Sequence, residues 1–307
     1  MTQSDTARAT PLPATDGDDR FATLRFERIV AAPLASLWQG WTAPAARAVW
    51  ASPDPSVAVE FVEAGTRIGG REVSICKVEG QPDIRCECQW LALEAERCSV
   101  NSEVIASNGT IQSAALVTAH FSDLGERSRV AVTVQLSSVA ENLEAGYRQG
   151  FGAGMDNLAR TAERTMVLQK VIQAPRALVW GAWMNEETLP QWWGPEGFSC
   201  RTQRIDLREG GEWVFDMIGP DGTVYPNHHR YGEVKAGERL AYTLHWGENG
   251  PKHADAWASF EDEGTGTKVT LGMVFATAAE YQEAKGFGAV ELGHQTLGKL
   301  ERFVISS

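Results

Sequence analysis

The sequence has no long apolar run, no excess of basic residues and few cysteines. No apolar segment approaches the roughly 20 residues that a membrane-spanning helix needs, so no membrane contact is expected. Forty acidic against 28 basic residues give a net charge of −12. This charge argues against a nucleic-acid partner, because such binding depends on Lys and Arg neutralising phosphates. Residues 1–20 are polar, without the apolar core of a secretory signal. They are predicted to be a disordered tail, and the expected compartment is the cytoplasm.

Cysteine is scarce and odd in number, which argues against a disulfide framework. Four of the five cysteines lie close together in the sequence, at Cys76, Cys86, Cys88 and Cys98. Cys86 and Cys88 would share one face of a strand, which is compatible with a thiol cluster or a metal site. Against this, their C-x-C spacing differs from the C-x₂₋₄-C of zinc sites, and no His lies nearby. The preferred interpretation is small buried residues, so neither a metal nor a cofactor is expected.

Several catalytic and nucleotide-binding templates are also missing. The sequence lacks GxSxG, GxxxxGK[ST], HxH and HExxH, and it has no GxGxxG following a strand. These patterns would signal a nucleophile elbow, a phosphate loop, zinc ligation and dinucleotide binding. No reaction is therefore assigned by a local motif.

What the sequence does contain is a duplication. Ala32-Pro33 aligns with Ala174-Pro175 at an offset of 142, and the same offset places Trp38, Trp41 and Trp50 on Trp180, Trp183 and Trp192. Gly69-Gly70 aligns with Gly210-Gly211 at 141, which indicates one residue gained or lost in a loop. The length of 307 residues also fits two domains. We predict domains at 21–164 and 165–307, joined near Arg164.

The second unit gives the clearer pattern of elements. A strand over 165–172 precedes Ala174-Pro175, which ends the strand and opens a short helix. A second short helix ends near Trp192. Six strands separated by turn residues follow between 198 and 275, and a long amphipathic helix beginning near Ala289 closes the unit. The first unit repeats this order. The predicted fold is α+β, with a curved antiparallel sheet wrapped around a long C-terminal helix in each unit.

These segments resemble the SRPBCC (START-like) superfamily, within it the branch named after the activator of heat-shock-protein ATPase. The resemblance rests on motifs of the second unit at 179–183, 191–198, 206–213, 219–222 and 294–300. The first unit is a diverged member, with Val49-Trp50-Ala51-Ser52 where the second has Trp192-Trp193-Gly194-Pro195. The resemblance implies two helix-grip domains with a cavity between sheet and helix that holds small hydrophobic molecules. Relatives include lipid carriers, polyketide cyclases and co-chaperone domains, so no single reaction is implied.

Aromatic residues and histidines of the second unit are the candidate site residues. Aromatic side chains with a polar group suit a pocket that has few polar atoms, and the ligand-binding candidates are Trp192, Phe198, Trp213, Phe215 and Tyr231. Trp213 and Phe215 should share the inner face of a strand. The weak catalytic candidates are His294, on the long helix, and His229. Adjacent His228 and His229 point to opposite faces, so at most one faces the interior.

Three functions remain open from the sequence. The first is binding of a small hydrophobic or aromatic molecule, mainly by the second domain because it keeps the family motifs. The second is an enzyme of the cyclase, hydrolase or lyase type acting on an aromatic or polyketide-like substrate. The third is a co-chaperone-like protein-interaction module. A protein partner and a homo-oligomer both stay open, as does the role of the first domain and its cysteines.

Overall fold

Two separate antiparallel sheets of seven strands form the framework of the protein. The structure is a computed structural model that describes residues 21–52, 56–138 and 143–306. The tail predicted for residues 1–20 lies outside the described residues. In the described part of the chain, no helix has both the length and the apolarity to cross a membrane.

The first unit follows the predicted order of one strand, two short helices, six strands and one long helix. Its elements are β1 (Phe21–Val30), α1 (Leu34–Thr42), α2 (Pro44–Trp50), β2 (Val57–Glu63), β3 (Arg71–Val78), β4 (Ile84–Glu94), β5 (Cys98–Ser107), β6 (Thr110–Asp123), β7 (Ser128–Ser138) and α3 (Leu143–Ala162).

The second unit repeats this order and adds one helix before the last. Its elements are β8 (Thr165–Ile172), α4 (Arg176–Trp183), α5 (Leu189–Trp192), β9 (Ser199–Ile205), β10 (Glu212–Ile218), β11 (Val224–Lys235), β12 (Arg239–His245), β13 (Lys252–Glu263), β14 (Gly266–Phe275), α6 (Ala278–Gly286) and α7 (Ala289–Ser306).

Both sheets have the same topology, with strand orders β1-β7-β6-β5-β4-β3-β2 and β8-β14-β13-β12-β11-β10-β9. The first strand of each unit pairs with the last, and the strands between them form a meander of hairpins. The core of each unit lies between its sheet and its long helix. The predicted α+β fold of two tandem helix-grip domains is therefore confirmed.

Hydrogen bonds in the helical layer repeat with the sequence offset. Trp50 donates its indole N–H to the Gly40 carbonyl at 2.7 Å, and Trp192 donates to the Ala182 carbonyl at 3.0 Å. Each indole joins the second short helix of its unit to the first. The duplicated tryptophans are thus retained because each fills a core position and satisfies a buried carbonyl.

One helix was absent from the sequence prediction. Helix α6 begins after Thr277, whose hydroxyl accepts a hydrogen bond from the backbone N–H of Glu280. Its buried residues are Tyr281 and Ala284, and most of its other side chains are exposed. A short helix with so narrow a buried face carries little periodic signal.

Two side-chain contacts near Arg164 and α6 link parts of the chain on either side of the predicted junction. Arg164 lies between α3 and β8 and donates its guanidinium N–H to the Phe275 carbonyl at 3.0 Å. Lys285 pairs with Glu126 of the first unit at 3.2 Å. We propose that the domain boundary falls at Arg164, since it follows the last helix of one sheet and precedes the first strand of the other.

Candidate ligand site

The inner face of the second sheet, which α7 covers, carries a row of buried aromatic and polar side chains. Cross-strand pairing places Trp213 opposite His229 and Tyr231 opposite Tyr242. His229 and Tyr231 are two residues apart on β11, so they share this face. Tyr242 in turn pairs with Ala256, one of three buried inner-face alanines on β13. These small residues leave the larger side chains room beneath the helix.

Trp213 and Phe215 form one wall of this site. Their rings stack with centroids 3.7 Å apart, and both side chains are buried. Trp213 donates its indole N–H to the Thr202 hydroxyl at 3.1 Å, which fixes the ring orientation. Both side chains point inward, as the spacing of two predicts.

His229 lies among aromatic rings. Its imidazole has edge contacts with Trp193, Trp213 and Phe215, and it stacks on Tyr242 at 4.9 Å. Burial, with a smaller contribution from neighbouring His228, lowers the pKa of His229 to about 3. The imidazole is therefore neutral at physiological pH and offers a hydrogen-bond donor and an acceptor without charge.

Two tyrosines complete the polar part of the site. Tyr231 and Tyr242 are 4% and 5% exposed, and burial raises the pKa of each phenol. Neither hydroxyl makes a hydrogen bond to any described residue. The same is true of the imidazole of His229. These three groups lie side by side on the inner face, where they offer hydrogen bonds to a bound molecule.

The loop at 193–198 closes the end of the site beside α7. Lys299 on α7 donates to the carbonyl oxygens of Trp193, Pro195 and Phe198, at 3.5, 3.3 and 3.1 Å. Burial lowers the pKa of its ammonium group. Arg302 pairs with Glu196 of the same loop. These contacts explain why the motif residues 191–198 and 294–300 occur together in one unit.

The predicted site residues divide into three groups. Trp213, Phe215 and Tyr231 lie together on the inner face. Trp192 is buried beside Trp183 and Trp193 in the helical layer, where its indole N–H is already bonded. Phe198 lies apart, partly buried, with its ring 6.1 Å from that of Tyr225. The ligand-binding role of all five stays a prediction.

The two catalytic candidates are not brought together. His294 is exposed on α7 and makes no hydrogen bond or ring contact within the described residues. His229 is interior, whereas His228 points outward and bonds Glu212 at 2.6 Å. Glu212 lies on the same outer face as His228, and its side chain is 35% exposed. Its pKa is lowered to about 2 by hydrogen bonds from Arg204 and then His228.

Sequence reasoning missed three residues of the site. Trp193 was noted as aromatic but not selected, although it immediately follows a chosen residue. The register between β11 and β12 places Tyr242 beside Tyr231. The orientation of α7 brings Lys299 to the loop at 193–198. For Tyr242 the available signal was its alternation with Leu244 on one strand face.

Comparison with known proteins identifies a family for the second unit. Residues 173–304 match the model of the family described as activator of Hsp90 ATPase homolog 1-like protein. The family resemblance read from the second unit's motifs is thereby confirmed. No significant match was found among curated proteins.

Similar solved structures include proteins from three bacteria. A protein from Nitrosomonas europaea has 27% identity and a TM-score of 0.44, and the alignment covers 47% of this chain and 96% of that one. One from Chromobacterium violaceum has 25% identity and a TM-score of 0.39, covering 46% and 96%. One from Mycobacterium smegmatis has 20% identity and a TM-score of 0.44, covering 48% and 94%.

Proposed function

Since residues 173–304 are of the activator-of-Hsp90-ATPase homologue type, we propose that the second domain binds a small aromatic or hydrophobic molecule between its sheet and α7. The observation that carries this proposal is the juxtaposition of three buried side chains, His229, Tyr231 and Tyr242, whose polar atoms make no hydrogen bond to any described residue. They adjoin the stacked pair of Trp213 and Phe215, so an aromatic ligand would meet apolar rings and hydrogen-bonding groups on the same face.

Binding rather than acid–base catalysis suits these groups. A general base works best when its pKa lies near the operating pH. The pKa of His229, at about 3, is far below that range, and the pKa values of both tyrosines are raised by burial. The site therefore presents neutral donors and acceptors. Such groups orient a ligand without exchanging protons with it.

The expected affinity is moderate. A ligand gains about 0.3 kcal/mol per heavy atom, so one of roughly 20 atoms gains about 6 kcal/mol, which corresponds to a dissociation constant of tens of micromolar. Native mass spectrometry of the purified full chain would reveal co-purifying small molecules. A hydroxylated naphthalene probe then serves for titration by calorimetry.

Two variants separate the apolar wall from the polar groups. Trp213→Ala removes stacking area and should weaken probe binding by about 1–3 kcal/mol. Tyr242→Phe keeps the ring and should weaken it by about 0.5–1.5 kcal/mol, the value of one hydrogen bond. Tyr281→Phe is the matched control, because Tyr281 is a buried tyrosine that stacks on Phe275 outside the site. Wild-type affinity in folded Trp213→Ala and Tyr242→Phe would refute the proposed site.

A further inference from the structure

The inner face of the first sheet has a different chemistry from that of the second. The two faces can be aligned through backbone hydrogen bonds. Gly69 and Gly70 exchange bonds with Trp90 at 2.8 and 3.0 Å, and Gly210 and Gly211 exchange the same pair with Tyr231 at 3.0 and 2.9 Å. Trp90 therefore occupies the position of Tyr231. The residues near Trp90 on its own and the neighbouring strands can be matched with those near Tyr231.

This correspondence places polar residues where the second domain has its aromatic site. Cys88, two residues before Trp90, occupies the position of His229. On the next strand, Asn101 pairs with Trp90 and Glu103 pairs with Cys88, at the positions of Tyr242 and Leu244. On the strand to the other side, Glu72 pairs with Cys88 and takes the position of Trp213.

Cys86, which shares the strand face of Cys88, lies with Cys88 and Glu103 at the spacing of metal ligands. The Sγ atoms of Cys86 and Cys88 are 3.6 Å apart, and Cys88 Sγ lies 3.9 Å from a carboxylate oxygen of Glu103. All three ligand atoms lie within 4.8 Å of one another. Zinc binds sulfur at about 2.3 Å and carboxylate oxygen at about 2.0–2.2 Å, so ligands of a tetrahedral zinc ion are about 3.5–3.8 Å apart.

The charges around this group also favour a cation. Glu103 lies on the inner face between Cys88 and Ala115 and, among the described residues, accepts hydrogen bonds from thiols alone. The nearby guanidinium of Arg47 is paired with Glu72, which accepts a second hydrogen bond from Thr66. One guanidinium thus faces two carboxylates. A cation held by Glu103 and the thiols would supply the opposite charge that a second buried carboxylate needs.

We propose that Cys86, Cys88 and Glu103 form a binding site for one divalent ion of the zinc type in the first domain. Two thiolates and one carboxylate are the protein ligands, and water or an exogenous ligand fills the fourth position. Binding breaks the two S–H bonds, forms two metal–sulfur bonds and releases both protons to solvent. Thiolate ligands select zinc over magnesium and calcium, which prefer oxygen.

A disulfide between Cys86 and Cys88 is the alternative to metal binding. Residues two apart on an extended strand are about 6.6 Å apart between Cα atoms, near the upper end of the range that disulfides span. All five cysteines are free thiols in the structure. The dithiol arrangement is therefore the one that the strand geometry favours.

Cobalt substitution of the reduced full chain tests the site directly. One equivalent of Co²⁺ should produce a sulfur-to-metal charge-transfer band, and Zn²⁺ should displace the cobalt and abolish that band. Cys86→Ser and Cys88→Ser should each lose or strongly diminish it, and Glu103→Gln should weaken Co²⁺ binding. Cys98→Ser is the matched control, because Cys98 lies on the same strand as Glu103 but faces the opposite side.

Two measurements distinguish loss of the metal site from unfolding of a variant. Circular dichroism establishes that each variant is folded, and Zn²⁺ should protect Cys86 and Cys88 of the wild type from alkylation in a mass-spectrometric assay that needs no variant. The proposal is overturned if reduced wild type gives no charge-transfer band and no protection. It is equally overturned if the band survives in both folded serine variants, or if the thiols isolate as a Cys86–Cys88 disulfide that after reduction binds no metal.

Discussion

At the scale of single residues, His229 couples stability to pH. Burial lowers its pKa to about 3 in the folded protein, from the ordinary value of 6.5 that applies to the unfolded chain. The unfolded chain therefore binds more protons below pH 6.5, and stability falls as pH decreases through that window. Between pH 7 and pH 5 wild type should lose about 2 kcal/mol more unfolding free energy than His229→Phe, which cannot be protonated. Urea denaturation at the two pH values measures the difference.

Exposed His294 provides the control for this prediction. His294→Gln should show the same pH dependence as wild type, because the side chain is exposed and makes no hydrogen bond, ion pair or ring contact with the described residues. Identical pH dependence in wild type and His229→Phe would contradict the prediction. The interior histidine would then be accessible to protons in the folded state.

Lys299 is a second residue whose effect can be stated in advance. Its ammonium group serves three carbonyls of the loop at 193–198. Lys299→Met keeps most of the apolar stem but leaves these carbonyls without their donor, so the unfolding free energy should fall by about 1–3 kcal/mol. Lys252→Met, at an exposed ion pair with Asp255, should change it by less than about 0.5 kcal/mol. Chemical denaturation of both variants would reveal any failure of this ranking.

At the scale of elements, a glycine on β14 makes room for a tryptophan on β13. A Cβ atom at Gly272 would lie 2.0 Å from the ring of Trp257, which pairs directly opposite on β13. Gly272→Ala should force the indole to shift and lower stability by about 1–3 kcal/mol. Gly181→Ala in α4 meets open space and should be stabilising by about 0.5–1 kcal/mol. Thermal unfolding compares the two, and an unchanged melting temperature for Gly272→Ala would count against this packing account.

Most elements were predictable because their periodicity is strong. Strands alternate, and turn residues such as Gly210-Gly211 mark where they end, so the sequence alone placed six strands between 198 and 275 of the second unit. The long helices have apolar residues at helical spacing. Helix α6 has no comparable pattern and depends on packing of Tyr281 against Phe275, a contact that the sequence does not encode locally.

The candidate sites were harder to predict because they depend on register between strands. Cys88 and Glu103 are 15 residues apart in the sequence and lie opposite each other on β4 and β5. The register of these two strands shifts by one residue between Trp90 and Ala92, so the sequence alone does not tell which residues are paired. The spacing C-x-C alone favoured buried structural thiols. In the second sheet, sequence reasoning placed Trp213 and Phe215 inward, since a period of two suffices for residues on one strand.

At the scale of the whole molecule, duplication has kept the framework and changed the interior. The bonded tryptophans Trp50 and Trp192 hold equivalent positions, as do the glycine pairs that bond Trp90 and Tyr231. The inner faces differ in kind, with aromatic rings in one domain and thiols with carboxylates in the other. One fold thus carries two different interiors, for which we propose different ligands, an organic molecule in the second domain and a metal ion in the first.

This division predicts where each ligand protects the full chain from hydrogen exchange. The aromatic probe should slow exchange in β10, β11, β12 and α7, because bound ligand suppresses opening of the elements that enclose it. Zn²⁺ should slow exchange in β4 and β5 instead. Trp213→Ala should reduce the first effect and leave the second unchanged, and Cys88→Ser should do the reverse. Probe protection centred on β3, β4 and β5 would assign the organic ligand to the first domain, against the asymmetry inferred from the motifs.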